Sequence, residues 1–209
     1  MLRILIADDH TVVRKGLRQI LLEEFPSAEI TETADAATLF MKVLREEWDV
    51  VITDISMPDK SGLEVLQQIR RDYPKLPVLI LSAHSEEQYA IRSLKAGASG
   101  YLCKDSASEE LVNAIRRILL GKKYITPSLA EKLAVHLDGE TDRPAHESLS
   151  DREFEVMKLL AAGKVVSEIA AQLCLGVTTI STYRARILTK MDLRTNYDLT
   201  RYAMEHNLL

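Results

Sequence analysis

The chain has 209 residues, a formal net charge of −4, 46% apolar residues and 28% charged residues. That composition is ordinary for soluble domains, and the length suits one or two of them at about 100–200 residues each. It excludes nucleic-acid binding by overall basicity and a membrane span of roughly 20 apolar residues; the short apolar run after Met1-Leu2-Arg3 meets two aspartates at once, unlike a secretory signal.

From Arg3 to Gly121, strand-like and helix-like segments alternate. Arg3-Ile4-Leu5-Ile6-Ala7 is near-continuously apolar, as a buried parallel strand is, and it runs into Asp8 and Asp9. Thr11 to Glu24 carries Val12, Val13, Leu17, Ile20 and Leu21 at helical spacing, with Thr11 as its expected cap and Pro26 as its stop. Ala28 to Ala34 alternates apolar and polar residues, as a strand near a sheet edge does. Asp35 to Glu46 returns to helical spacing, and Val50-Val51-Ile52-Thr53 is a strand that runs into Asp54. Met57-Pro58-Asp59-Lys60-Ser61-Gly62 is a turn cluster, followed by a helix over Leu63 to Arg71. Pro77 to Ser82 is a strand ending on a hydroxyl. Glu86 to Lys95 is a helix, with Gly97 placed as its C′ residue. Gly100 to Cys103 is a strand running into Lys104, and Ser108 to Leu120 is an amphipathic helix closed by Gly121.

Repeated βα units predict a parallel sheet covered on both faces, with right-handed crossovers. The expected fold is α/β: a flavodoxin-like, doubly wound, five-stranded sheet of order 2-1-3-4-5. Its ligand crevice lies beyond the carboxyl ends of the strands, which brings Asp8, Asp9, Asp54, Ser82 and Lys104 together.

After Gly121 the pattern changes. Pro127 to Leu137 reads as a short helix, and Asp138-Gly139-Glu140-Thr141-Asp142-Arg143-Pro144 as a flexible linker. From Ser148 onward the chain is helical throughout. Ser150 and Glu153 form a capping box ahead of Phe154, Met157, Leu159 and Leu160, and Gly163 ends that helix. Ser167 to Leu173, Val177 to Met191 and Asn196 to Asn207 are further helices. A Cys174-Leu175-Gly176 turn between the first two of these three makes a helix-turn-helix in a small all-α domain. The expected divisions are 1–122, a linker over 123–147, and 148–209. Cys103 and Cys174 read as small core hydrophobes in a reducing compartment.

Three clustered carboxylates repel one another. Either one stays protonated or a divalent cation neutralises them. Oxygen donors select a hard cation such as Mg²⁺. Lys104 supplies a compact positive charge and Ser82 a hydroxyl for phosphoryl oxygens. Asp54 is then a carboxylate nucleophile able to form an acyl phosphate. The plainer alternative is that each polar residue merely ends its strand.

Residues 1–122 resemble the receiver domain of two-component response regulators. The resemblance rests on Asp8-Asp9, Asp54-Ile55-Ser56-Met57-Pro58, Ser82-Ala83, Lys104 and Ala96-Gly97-Ala98. It implies that Asp54 accepts phosphate from a sensor histidine kinase. It implies that Asp9, Asp54 and the Ser56 backbone carbonyl hold Mg²⁺, with Asp8 acting through water. Ser82 and Tyr101 occupy its switch positions. Many receivers have proline after the lysine in a cis bond; here Asp105 follows Lys104, and no cis bond is expected.

Residues 148–209 resemble the LuxR-type helix-turn-helix of the NarL/FixJ class, through Leu149-Ser150-Asp151-Arg152-Glu153, Leu160-Ala161-Ala162-Gly163, Glu168-Ile169-Ala170 and Leu175 to Met191. Tyr183-Arg184-Ala185-Arg186 and Asp198-Leu199-Thr200 are most similar to the GacA and UvrY group. The segment carries eight Lys/Arg and seven Asp/Glu, yet Arg184, Arg186, Lys190 and Arg194 cluster, as a phosphate-binding patch does. On an ideal helix Ile180, Ile187 and Met191 face inward, while Thr178, Thr182, Ala185, Arg186 and Thr189 face away and Ser181 flanks them. The resemblance places Ser181, Thr182 and Ala185 at base edges, where lysine is usual in place of Ser181 and histidine in place of Tyr183. Thymine-methyl contacts, water bridges and DNA shape are therefore expected to carry specificity. Arg184 lies near the packed face, and the alternatives for it are an ion pair with Glu153 or Glu155 and a phosphate contact.

The combined expectation is a cytoplasmic bacterial transcription regulator rather than an enzyme. Phosphorylation would drive homodimer formation, release of the DNA-binding domain, or both, and the ligand is double-stranded promoter DNA. Two rivals are a phosphatase of the haloacid-dehalogenase kind, which needs a carboxylate where Ser56 stands, and a receiver that is never phosphorylated and only dimerises.

Overall fold

The structure, a computed structural model, describes residues 1–57, 60–83, 86–138 and 144–209. Pro58 and Asp59 of the expected turn and Gly139 to Arg143 of the expected linker lie outside the described residues. The chain divides into two compact units, Met1–His136 and Leu137–Leu209.

In the first unit, β1 (Arg3–Ala7), β2 (Glu29–Thr33), β3 (Val50–Asp54), β4 (Val78–Ser82) and β5 (Gly100–Cys103) form a parallel sheet in the order β2-β1-β3-β4-β5. That is the expected order, with the alternating segment at one edge. Successive strand side chains point to opposite faces, so a strand covered on both faces is apolar throughout. Ile4, Leu5 and Ile6 are accordingly all fully buried. On one face α1 (Thr11–Glu24) and α5 (Ala107–Leu119) bring Leu17, Leu21, Leu111, Ala114, Ile115 and Ile118 against Ile4, Ile6, Ile52, Leu79, Leu81 and Leu102. Outside that cluster, α2 (Ala36–Arg45), α3 (Gly62–Asp72) and α4 (Glu86–Lys95) bury Leu39, Val43, Leu63, Leu66, Ile69 and Ala90.

The helix ends show where local chemistry departs from the sequence reading. Asp35 and Ser61 cap α2 and α3 through their side chains. Thr11 is not a cap. It is the first helical residue, His10 holds the cap position without a side-chain bond, and the Asp8 carboxylate accepts the His10 backbone N–H at 2.8 Å. A short 3₁₀ turn over Lys104–Ser106 precedes α5, and no cis peptide occurs among the described residues. Gly97 is at φ +100°, and the amides of Gly97 and Ala98 return to Leu94 and Ser93, a Schellman closure of α4. Past α5 the chain comes back to the sheet edge, where Tyr124 donates its backbone N–H to Ser99 and its hydroxyl to Glu110. α6 (Pro127–Asp138) follows, with the expected extent to within one residue.

In the second unit, α7 (Asp151–Ala161), α8 (Val166–Gln172), α9 (Val177–Lys190) and α10 (Asn196–Glu205) enclose Phe154, Met157, Leu160, Ile169, Ile180, Ile187 and Leu199. The Ser150–Glu153 capping box is present. The turn between α8 and α9 differs from expectation. Its left-handed residue is Cys174, at φ 53°, whereas Gly176 has φ −71° and serves as the N-cap of α9. Cys174 is exposed and Cys103 only half-buried, so the reading of both as core residues is wrong. In Cys174 the backbone role of the turn decides its place, and the thiol is left outside.

Candidate functional site

Strand register assembles the first site. Ala7 pairs with Thr53, so Asp8 and Asp54 leave adjacent strands side by side. Asp54 pairs with Leu81 and Ser82 with Cys103, so Ser82 and Lys104 complete the same edge. Asp8 and Ser82 are fully buried and Asp54 is 2% exposed, while Asp9 and Ser56 are exposed. Gly62 fixes the loop below Asp54. Its amide donates to the Ile55 carbonyl at 2.8 Å, and a Cβ there would lie 2.0 Å from the Asp54 carbonyl oxygen. No side chain fits that approach.

Lys104 Nζ lies 2.8 Å from Asp54 Oδ2 and 2.7 Å from Asp8 Oδ2, and its contact with Asp54 has hydrogen-bond geometry. Burial opposes the Lys104 ammonium, but the two carboxylates outweigh it and hold its pKa above the ordinary lysine value. Burial raises the Asp54 carboxyl above its ordinary range; Lys104 opposes this, Asp8 adds to it, and the Ser56 amide opposes it weakly. One ammonium therefore serves two buried carboxylates, with Asp9 beside them, and does not neutralise the set. Asp54 Oδ1 is buried without a hydrogen-bond partner among the described residues. A buried carboxylate oxygen left unpaired is costly, and a cation relieves that cost. The donor set fits a hard divalent ion. Asp8 Oδ1 accepts the His10 amide, while its buried Oδ2 is ion-paired with Lys104 but, like Asp54 Oδ1, has no hydrogen bond among the described residues.

One member of the cluster was missed from sequence. His10 Nδ1 sits 2.6 Å from Asp9 Oδ1 and 3.2 Å from Asp8 Oδ1. Donor atoms of Asp8, Asp9, His10 and Asp54 all lie within 4.8 Å of one another. The signal was present as Asp8-Asp9-His10, but a ring that follows a strand end points inward or outward only once the backbone is known. Tyr101 is fully buried on β5.

The second candidate site is the outer side of α9. Thr178, Ser181, Thr182, Ala185, Arg186 and Lys190 are exposed, while Ile180, Ile187 and Met191 are buried, as helical spacing requires. Thr178, Thr179, Thr182, Tyr183 and Arg186 line a shallow concavity. Ser181 and Thr182 donate their hydroxyl hydrogens to the Val177 and Thr178 carbonyls of their own helix. Their outward faces offer lone pairs and a methyl group rather than donors. Neither expected acid pairs with Arg184. Its Nε donates to Asn196 Oδ1 at 2.7 Å, because α10 starts beside it, and Glu155 is taken by Arg152. Lys190 Nζ pairs with Glu153 at 2.6 Å, which leaves Arg186 as the more outward cation of this helix.

Residues 4–116 match the response regulator receiver domain family, and residues 147–203 match the luxR family of bacterial regulatory proteins. The chain is similar to the response regulator UvrY of Escherichia coli K12, at 34% identity over all of this chain and 96% of that one. It is 33% identical to the response regulator GacA of Pseudomonas aeruginosa PAO1, over all of this chain and 98% of that one. A solved structure of RcsB from Salmonella enterica serovar Typhimurium, bound to promoter rprA in the presence of phosphomimetic BeF₃⁻, is similar at TM-score 0.66 and 27% identity. The match covers 97% of this chain and 98% of that one.

The Glu153–Lys190 pair sets a pH dependence. Burial alone would raise Glu153, but Lys190 and the Ser150 amide and hydroxyl outweigh it, so the carboxyl titrates below its ordinary range. A lowered native pKa contributes stability above the unfolded value of about 4.3 and loses it as pH falls through the native value. Glu153→Gln is expected to cost the helical unit about 1 kcal/mol at pH 7, after screening at the half-exposed Lys190. Calorimetry of the full chain should show that difference shrink towards pH 3.

Proposed function

Because the chain belongs to the two-component response regulators that join a receiver domain to a LuxR-type DNA-binding domain, we propose that Asp54 is its phosphoacceptor and that phosphorylation there controls promoter binding. The boundaries that serve this reading are 1–122 for the receiver, 123–147 for the connection and 148–209 for the DNA-binding domain. The observation that carries it is Asp54 itself: buried, with Lys104 on one oxygen and no hydrogen-bond partner for the other among the described residues.

In this reading the Asp54 carboxylate attacks the phosphorus of a phosphohistidine on a sensor kinase. The P–O bond forms, the P–N bond breaks, and the leaving imidazole takes a proton. Lys104 moves from the carboxylates to a phosphoryl oxygen, and Ser82 supplies a hydroxyl to another. Asp9, Asp54 and the Ser56 carbonyl would hold Mg²⁺, with Asp8 acting through water while its Oδ1 takes the His10 amide and its Oδ2 faces Lys104. When bound, the ion supplies charge compensation between the carboxylates and the incoming phosphoryl oxygens. Withdrawal of Lys104 and Ser82 towards the new anion biases the neighbouring Tyr101, and a two-state surface passes the change on. The carboxylate at position 54 has no second carboxylate two residues on to serve as acid and base, because Ser56 stands there, which counts against a phosphatase.

The DNA-binding reading rests on the exposed row along α9. Arg186 contacts phosphate, and Thr178, Ser181, Thr182 and Ala185 face base edges. Lys190 and Arg184 reach DNA only by giving up Glu153 and Asn196, so they contribute less. A homodimer formed on activation would read a roughly palindromic site in the cytoplasm, with half-sites about one helical turn apart.

Acetyl phosphate with Mg²⁺ is expected to shift the full-length chain to a dimer in sedimentation and to tighten binding to a selected DNA site about tenfold or more. Asp54→Ala should show neither response. A wild-type chain whose mass and DNA affinity ignore the donor contradicts the reading. Arg186→Ala should weaken binding across sequences and lower the salt slope by about 1.

A further inference from the structure

We propose that His10 is a nitrogen ligand of the acidic site, through which this chain takes a first-row divalent cation such as Mn²⁺ or Co²⁺ more tightly than oxygen donors alone allow. This rests on the reading of the site as a cation site, and it concerns which cation is held there.

Three observations support it. First, the ring is turned into the cluster. Nδ1 lies 2.6 Å from Asp9 Oδ1 and 3.2 Å from Asp8 Oδ1, although the side chain is 65% exposed and packing does not force it inward. Second, its main chain is anchored. The His10 amide donates to Asp8 Oδ1 at 2.8 Å and the residue holds the N-cap position of α1, so its backbone is tied to the Asp8 carboxylate. Third, Asp54 Oδ1 is buried without a hydrogen-bond partner among the described residues, and one ligand atom from each of Asp8, Asp9, His10 and Asp54 falls within 4.8 Å of the others. Ligands at about 2.1 Å from one ion lie about 3–4 Å apart, so closing by less than an ångström brings Asp9, Asp54 and His10 onto one ion, with Asp8 reaching it through water.

Carboxylates accept hydrogen bonds only, so without a metal the Nδ1 atom facing them carries the proton. On binding a metal, Nδ1 gives its lone pair to the ion, and the proton is carried on the other ring nitrogen. Mg²⁺ gains little from an imidazole, whereas Mn²⁺ and Co²⁺ gain progressively more in the usual order of divalent affinities. His10 is then a determinant of metal choice at a site that Mg²⁺ can also occupy through oxygens. A different role, in which the ring only orients Asp9, would affect every cation alike.

The test is calorimetric titration of the full-length chain with Mg²⁺, Mn²⁺ and Co²⁺, in the wild type, His10→Gln and Asp54→Asn, with folding checked by circular dichroism. Co²⁺ and Mn²⁺ affinity should fall about tenfold or more in His10→Gln, while Mg²⁺ affinity stays within about twofold. The wild-type Co²⁺ complex should show a hyperfine-shifted, exchangeable imidazole N–H in its proton spectrum, absent in His10→Gln. Unchanged Co²⁺ affinity overturns the proposal. So does an equal loss for Mg²⁺ and Co²⁺, which would make His10 a positioning residue. Co²⁺ binding undiminished in Asp54→Asn would place the ion elsewhere and also overturn it. Absence of Mg²⁺ binding in the wild type would instead sink the underlying reading, a result the Co²⁺ series distinguishes.

Discussion

Two buried carboxylates at the end of a parallel sheet share one ammonium, with a third carboxylate, Asp9, beside them, and most of the first unit is arranged around that imbalance. Lys104 bridges Asp8 and Asp54, yet burial keeps the Asp54 carboxyl above its ordinary range, and one of its oxygens has no hydrogen-bond partner among the described residues. Such an arrangement is poor as a stabilising device, because buried ionic groups return their desolvation cost only when fully satisfied. It is well suited to receiving something: a cation for the carboxylates, and an anion for the lysine once it lets go.

The fold holds the cluster open by rigid means. β1, β3, β4 and β5 hold the cluster at their carboxyl ends: Asp54 and Ser82 are the last paired residues of β3 and β4, and Asp8 and Lys104 directly follow β1 and β5. Gly62 lets the first turn of α3 lie against the Asp54–Ile55 backbone, which fixes the approach to Asp54 from below. The helical unit uses the same economy. Its buried face is closed by Ile180, Ile187 and Leu199, and the Glu153–Lys190 ion pair and the Arg184–Asn196 hydrogen bond tie helices to one another, which leaves Arg186 and the small polar residues of α9 exposed.

Much of this was legible in the sequence, for identifiable reasons. A buried parallel strand is read from an unbroken apolar run, and a polar residue placed just after it has one location available, the carboxyl edge of the sheet. That reasoning placed Asp8, Asp54, Ser82 and Lys104, and the period of α9 placed its inner and outer faces. The Ser150–Glu153 box was legible because it is a local motif of fixed spacing. What sequence missed depended on direction or on partners distant in the chain. His10 required a known backbone to aim its ring, and it displaced Thr11 from the cap. For Arg184 the alternatives were a glutamate of α7 and a DNA phosphate, and its side chain donates instead to Asn196 at the start of α10. Cys174 was read by its apolarity, while its place is decided by a left-handed turn.

The central claim is that Asp54 captures phosphorus covalently. Intact-mass spectrometry of the full-length chain, incubated with Mg²⁺ and acetyl phosphate, tests it most directly. The account predicts one added phosphoryl group per chain, removed by hydroxylamine, mapped to Asp54 and missing from Asp54→Asn. A chain that gains no such group, or gains it equally in Asp54→Asn, would contradict it.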